Sequence, residues 1–347
     1  MEDKSPFALP RVSVVITSYN YRAYVEDAIR SVLAQTYRNW DCVIVDDAST
    51  DGSADHIRAL LEKIGDPRLR LMARPQNGGQ LASLRDGVAA SEAHFVALLD
   101  SDDVWLPDFL LAHLSAHLST TQPASLSSSD LFIVDSERAL LAGSFVMLHK
   151  TGQGADGTTI SRSSQVGEMA RELAYPSEHP VTYFGPRTYG WMWAPTSSMV
   201  FRRGALEPVL AFPFKVTIGT DYLAATCAHL AAGSLILSEC LGLYRLHGSN
   251  ASGGLAYAGG RMQLSPAYAS LDAAMGADVY DYVLANAERL SAIHGRDFVS
   301  GFLSSHVRRF GDLASDPRLA PFMERKSLLR KARKRFVRTL RRLAGGS

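Results

Sequence analysis

Phe95-Val96-Ala97-Leu98-Leu99-Asp100-Ser101-Asp102-Asp103 decides how the rest of the chain is read. Five apolar residues end abruptly in three carboxylates within four positions. A short apolar run with polar ends reads as a buried strand. Acids carried into the interior without compensation would not stay charged there. They belong where the strand leaves its sheet, and in open α/β sheets ligands bind outside the carboxyl ends of the strands. Clustered hard carboxylates at such a place suit Mg²⁺ or Mn²⁺, usually shared with a substrate's phosphates. An acidic turn leading into the helix near Pro107 is the structural alternative.

Upstream, the same pattern occurs twice more. Arg11-Val12-Ser13-Val14-Val15-Ile16-Thr17 reads as a strand that exits through Ser18-Tyr19-Asn20-Tyr21. Asp41-Cys42-Val43-Ile44-Val45 is a second, followed at once by Asp46-Asp47-Ala48-Ser49-Thr50-Asp51-Gly52. Tyr24, Ala28, Ile29, Val32 and Leu33 recur at helical spacing, as do Ile57, Leu60, Leu61 and Ile64, and then Leu81, Leu84 and Val88. Strands alternating with such helices predict a doubly wound, mostly parallel sheet with right-handed crossovers. Parallel strands put their carboxyl ends on one edge. Thr17–Tyr19, Asp46–Asp47 and Asp100–Asp102 should therefore converge.

Taken in order and spacing, these segments resemble the family-2 inverting glycosyltransferases of GT-A fold. The resemblance rests on Val12 to Asn20, Ala28 to Tyr37, Val45 to Ser53, Asn77-Gly78-Gly79, and Leu99 to Trp105. It reappears between 193 and 252. One departure is visible: where many relatives read A-R-N-x-G, this chain has Ser83-Leu84-Arg85-Asp86-Gly87. The resemblance implies a Rossmann-like nucleotide-sugar-binding half over residues 1–123 and an acceptor-binding half over 124–255 with an insertion at 143–190. A helical C-terminal region, 256–347, is expected to follow. It further implies that Asp47 accepts a hydrogen bond from the base, that Tyr19 stacks on it, and that Thr17 lines the same pocket. An acceptor-only carboxylate facing a ring N–H is selective, and uracil carries that donor, so UDP is the expected nucleotide. Gly79 would let backbone approach the nucleotide. Within the Asp100-Ser101-Asp102 segment, Asp102 would bind the metal and Asp100 the ribose or the metal. Asp103 is expected to cap the following helix.

In the second half, Trp191 and Trp193 are candidate platforms for the donor or acceptor sugar, because aromatic faces pack well on sugar rings. Thr220-Asp221-Tyr222-Leu223 resembles the family's E-D-x-x-L segment, with Thr replacing the usual acid, and Asp221 is the expected catalytic base. Tyr244-Arg245-Leu246-His247-Gly248-Ser249-Asn250-Ala251-Ser252 resembles Y-R-x-H-x-x-N-x-S. His247 is then a third metal-side residue, and neutral imidazole is a good Mn²⁺ ligand. The expected reaction is metal-dependent transfer of a sugar from a nucleotide-sugar to a hydroxyl of a glycan or lipid-linked acceptor. The alternative is a non-catalytic sugar-nucleotide-binding or scaffold protein of the same fold. A nucleotidyltransferase is disfavoured, since it needs a glycine-rich basic loop where Ser18-Tyr19-Asn20-Tyr21 stands.

Composition bounds the remainder. With 347 residues, 46% hydrophobic and 20% charged, the chain is globular rather than disordered. Three widely spaced cysteines read as reduced core thiols of a cytosolic protein. No apolar run is long enough to span a bilayer, and Met1–Lys4 lacks the features of a signal peptide. Net charge is +1, yet residues 325–342 hold ten of the 36 Lys and Arg and no acid. The rest of the chain is therefore acidic, with 26 bases against 35 acids. Segment 325–343 places Leu329, Phe336, Leu340 and Leu343 near one helical face, which reads as binding to an anionic membrane surface. The body offers no matching basic groove, so nucleic acid is not an expected partner.

Overall fold

The computed structural model describes residues 8–145, 152–153, 159–160, 181–188, 190–248, 250, 257–258, 261–262, 266–309 and 315–322. The basic segment 325–343 and most of the insertion 143–190 lie outside the described residues, as do Met1–Lys4, Ser249, Ala251 and Ser252. The chain forms two compact units, Met1–Leu271 and Asp272–Ser347.

The first unit begins with β1 (Val12–Ser18), α1 (Val25–Leu33), β2 (Trp40–Asp46), α2 (Ser53–Ile64), β3 (Leu69–Ala73), α3 (Gln80–Ala89) and β4 (Phe95–Asp100). β1 and β2 are covered on both faces along almost their whole length, as continuous Val/Ile runs require in a parallel sheet. α1 buries Val25, Ala28, Ile29 and Val32 against them. α3 lies so close above β1 that any side chain at Gly87 would collide with Val15. β5 (Val104–Trp105), α4 (Phe109–Ser119), β6 (Leu126–Val134) and β7 (Leu140–Ala142) follow. The two-residue strands β8 (Gly152–Gln153) and β9 (Thr159–Ile160) pair with each other. Next come β10 (Val181–Phe184), β11 (Met199–Arg202), α5 (Arg203–Leu210), α6 (Thr220–Ala232) and β12 (Ser234–Arg245).

One sheet runs through both halves in the order β10-β12-β6-β11-β4-β1-β2-β3. β1 pairs in parallel with β2 and β4, and β6 with β12, while β11 is antiparallel between β4 and β6. The result is the mixed, mostly parallel α/β sheet of a GT-A fold. Two registers matter for chemistry. Thr17 lies opposite Asp100 and Ser18 opposite Asp46, which puts three strand ends on one rim. β5 pairs with β12 through Trp105–Gly242 and Val104–Leu243. This brings the end of β12 back beside the acids that follow β4.

No helix among the described residues is long and apolar enough to cross a membrane. Beyond the sheet the chain is helical from Pro266, and Ala256 itself lies outside the described residues. A two-residue pair, β13 (Tyr257–Ala258) with β14 (Arg261–Met262), comes first, and α7 (Pro266–Ala285) begins after it. The second unit holds the rest of α7 with α8 (Ala287–His294) and α9 (Arg296–Arg309). Its core includes Met275, Val279, Tyr282, Val283, Phe298, Phe302 and Leu303. His306 Nε2 reaches the Gly276 carbonyl at 2.6 Å and ties α9 to α7.

Candidate active site

At the end of β4, Asp100 Oδ1 accepts from Thr17 Oγ1 at 3.2 Å and from Gln80 Nε2, the first residue of α3, at 2.8 Å. The Asp100 amide donates to Ser197 Oγ at 3.0 Å, and that hydroxyl donates to Asp103 Oδ2 at 2.6 Å. Asp103 Oδ1 accepts from the Arg245 amide at 2.9 Å. Asp103 is therefore not the cap of α4, where Asp108 stands and makes no side-chain cap bond. It joins three segments instead: the acidic turn, the 3₁₀ turn at Thr196–Ser198 and the end of β12. Burial, with the like charges of Asp102 and Asp221 nearby, pushes the Asp100 carboxyl up to about 7. Burial also raises Asp103 and Asp221.

Arg245 is almost wholly buried and works as a bolt. It donates to the Asp102 carbonyl at 2.8 Å and the Ser136 carbonyl at 2.9 Å, and pairs with Asp27 of α1 at 2.9 Å. Two residues on, His247 Nε2 stands 3.1 Å from Asp102 Oδ2. The imidazole stacks on Tyr24 at 4.7 Å, with Tyr21 against its edge at 5.3 Å. Asn250 accepts from the His247 amide at 2.6 Å and completes the turn. A hard oxygen and an imidazole nitrogen thus converge where like charges crowd, and among the described residues the buried Ser101 hydroxyl has no hydrogen-bond partner. This donor set fits Mg²⁺ or Mn²⁺, with other coordination positions left to phosphate oxygens and water. Among the described residues no group of three or more His, Cys, Asp or Glu is arranged to hold an ion alone.

Asp47 sits at the neighbouring strand end, 3% exposed. Its oxygens accept from the Gly78 amide at 3.0 Å and the Gly79 amide at 2.8 Å, and it pairs with Arg74. Arg74 also holds Asp86 at 2.8 Å. Asp47 therefore orders the Asn77-Gly78-Gly79 turn through the same oxygens that would meet a base. Asp46 Oδ1 and the Ser18 hydroxyl are buried there without hydrogen-bond partners among the described residues. Tyr19 is 44% exposed beside them, free to lie against a flat ring.

Asp221 opens α6 behind Gly219, whose φ of 73° turns the chain into the helix. Its carboxylate accepts from the Tyr222 amide at 2.8 Å. Gly219, not Thr220 or Asp221, holds the N-cap position of α6, and among the described residues the buried Thr220 hydroxyl has no hydrogen-bond partner. The loop leading to Gly219 is fastened to α3. Arg85 donates to the Leu210 and Phe212 carbonyls, each at 2.6 Å. Gly79, at φ 81°, packs where a Cβ would come within 2.8 Å of Thr217. Arg85, the departure from the family pattern, thus links the donor-side helix to the loop that precedes Asp221. Trp193 is 2% exposed and bonds Ser234 through its indole N–H at 3.0 Å, so it presents almost no face to a sugar. Trp191 is 37% exposed.

The structure gathers Thr17, Asp100, Ser101, Asp102 and His247 at one rim, with Asp221 close enough to act on Asp100 and Asp47 with Gly79 at the adjacent strand end. Trp193 stands apart in the interior. Gln80, Arg74 and Ser197 escaped the sequence reading. Gln80 follows the glycine turn directly, which is a local signal, whereas Ser197 lies 97 residues from Asp100 and has none.

Comparison with known proteins adds the following. Residues 13–138 match the family model for glycosyl transferase family 2. An uncharacterized glycosyltransferase, alr2836, from Nostoc sp. is 32% identical over 241 residues, covering 69% of this chain and 66% of that protein. The putative teichuronic acid biosynthesis glycosyltransferase TuaG of Bacillus subtilis is 36% identical over 126 residues, 36% of this chain and 49% of that protein. The chain thus spans about half to two thirds of the length of these relatives. S. aureus TarS 1-349 in complex with UDP superposes with a TM-score of 0.53 at 15% identity, over 90% of this chain and 77% of that one. At that identity the likeness is one of fold.

Proposed function

The chain belongs to glycosyl transferase family 2, and from that premise we propose that it transfers a sugar from a nucleotide-sugar to an acceptor hydroxyl with inversion. The observation that carries this reading is the single rim holding Asp100, Asp102, His247 and, from another element, Asp221. The presence of UDP in the TarS complex favours a UDP-sugar donor. The teichuronic acid biosynthesis in TuaG's name favours a surface-glycan or lipid-linked acceptor.

In this reading Tyr19 stacks on the base, Asp47 accepts from its edge while it holds the Gly78–Gly79 turn, Gly79 lets backbone approach the nucleotide, and Thr17 and Asp100 face the ribose. Asp102 and His247 would hold the divalent cation. When bound, the cation would offset the charge of the departing diphosphate. Asp221 accepts the proton of the acceptor hydroxyl. The freed oxygen bonds to the anomeric carbon from the face opposite the nucleotide, and the carbon–phosphate oxygen bond breaks with its electron pair leaving on the nucleoside diphosphate. A raised Asp221 carboxyl suits this role, because a more basic carboxylate takes a proton more readily. The basic segment 325–343 would hold the protein at an anionic membrane surface on the cytoplasmic side.

A thermal-shift screen of UDP-, GDP- and dTDP-sugars with and without Mn²⁺ tests the reading. A shift with one nucleotide class that grows with Mn²⁺ is expected. No shift with any nucleotide-sugar, or a shift indifferent to Mn²⁺, counts against it.

A further inference from the structure

Trp191 is an indole held partly in solvent by unusually complete support. Its ring stacks on Tyr222 at 5.9 Å and 14°, and Tyr222 adjoins Asp221 and donates its amide to that carboxylate. Trp191 and Trp193 meet in a T-shaped contact, with ring centroids 5.4 Å apart and planes at 81°. Trp193 is itself locked. Its indole N–H donates to Ser234 Oγ at 3.0 Å, Ser234 Oγ lies 2.8 Å from His229 Nδ1, and His229 Nε2 lies 3.1 Å from the Thr188 carbonyl.

The directions in that chain are settled by elementary chemistry. A carbonyl only accepts, so His229 Nε2 carries the proton. Burial lowers the His229 pKa to about 4, so the ring is neutral and Nδ1 accepts from Ser234. Ser234 then has its lone pairs for the indole of Trp193. Trp193, Ser234 and His229 are thus each hydrogen-bonded, and their effect is to fix the Trp191 ledge beside the head of α6.

We propose that Trp191, backed by Tyr222, is a stacking subsite for a pyranose ring of a saccharide acceptor. The inference rests on the reading of Asp221 as the base that deprotonates the acceptor. A saccharide fits because its ring has an apolar C–H face for the indole and a rim of hydroxyls for water and the nearby carboxylate. A nucleobase would also stack, but the exposed ring at the β1–β2 rim is Tyr19, next to Asp46 and Asp47. Trp191 belongs to the α6 side. Rigid aromatic support lowers the ordering cost of binding a flexible glycan.

The test uses the full chain with UDP and Mn²⁺. Methyl α- and β-glycosides of glucose, galactose and N-acetylglucosamine serve as probes in saturation-transfer NMR, and UDP binding is followed by calorimetry. At least one glycoside is expected to bind the wild type. Trp191→Ala should weaken it tenfold or more while Trp191→Phe retains part, with UDP affinity within twofold in both. Undiminished glycoside binding in Trp191→Ala, no glycoside binding to a wild type that binds UDP, or a loss of UDP affinity in Trp191→Ala each overturns the subsite. A wild type that binds no nucleotide overturns the donor reading, and the subsite with it. Because Trp191 is partly exposed, melting curves within a few degrees of wild type are expected and separate lost contact from lost fold.

Discussion

Asp102 and Asp221 reach the rim from different elements, and their loss should be felt differently. Asp221→Asn keeps shape and removes the proton acceptor. Transfer is expected to fall about 100- to 10,000-fold, with UDP-sugar affinity within about threefold, measured by product formation and by calorimetry. Asp102→Ala removes the oxygen that faces His247 and should abolish the Mn²⁺ dependence of donor binding. Unchanged Mn²⁺-dependent calorimetry would refute the assignment. A third residue tests stability. His117 is 2% exposed, and burial, aided by Arg202, lowers its pKa to about 3. The depressed value means the folded state resists protonation, so stability is intact above the ordinary histidine value of 6.5 and declines as pH falls toward 3. At pH 5 the loss from this group is roughly 2 kcal/mol. His117→Leu should therefore lose less stability than wild type between pH 7.5 and 5 in denaturant titrations; an identical loss would exclude His117 as the cause.

α3 is the element on which the two sides of the site meet. Its head carries the glycine turn bound by Asp47, Gln80 holds Asp100, and Arg85 fastens the loop before Asp221. Two hydrogen bonds from a guanidinium to carbonyls are lost in Arg85→Met, at a cost of roughly 2 kcal/mol. Faster amide exchange in 211–219 is the expected signature, with kcat lowered more than the donor KM is raised. Exchange unchanged in that loop would show that Arg85 does not hold it. Gly79→Ala meets two obstacles, a backbone at φ 81° and the Thr217 backbone close by. Strain alone should cost roughly 1–3 kcal/mol, readable as a lowered denaturation midpoint. Some of this element was legible in advance. Asn77-Gly78-Gly79 announces a turn and Leu81, Leu84 and Val88 announce a helix, because local chemistry dictates both. The role of Arg85 was not, since its carbonyl partners lie 125 and 127 residues away and carbonyls carry no residue identity.

On the scale of the whole molecule, one sheet spans both halves, and charge is divided between an acidic body and a basic C-terminal segment. Ten bases near an anionic surface can contribute roughly 1 kcal/mol each. The full chain should therefore sediment with phosphatidylglycerol vesicles and not with phosphatidylcholine vesicles, and 0.5 M salt (about a 4 Å Debye length) should release it. Equal sedimentation with both vesicle types would remove the electrostatic account. Alternation of apolar runs with helical periods was enough to establish the α/β sheet, its parallel core and the common rim, because buried parallel strands must be continuously apolar and their carboxyl ends must share an edge. Tertiary structure alone decided that Trp191 rather than Trp193 is open to solvent, that Asp103 joins segments instead of capping α4, and that Asp47 is bound to its own glycine turn. The reason is physical: periodicity reports which side of an element is buried, while the partner of a polar group depends on distant backbone atoms that meet it only when the chain is folded.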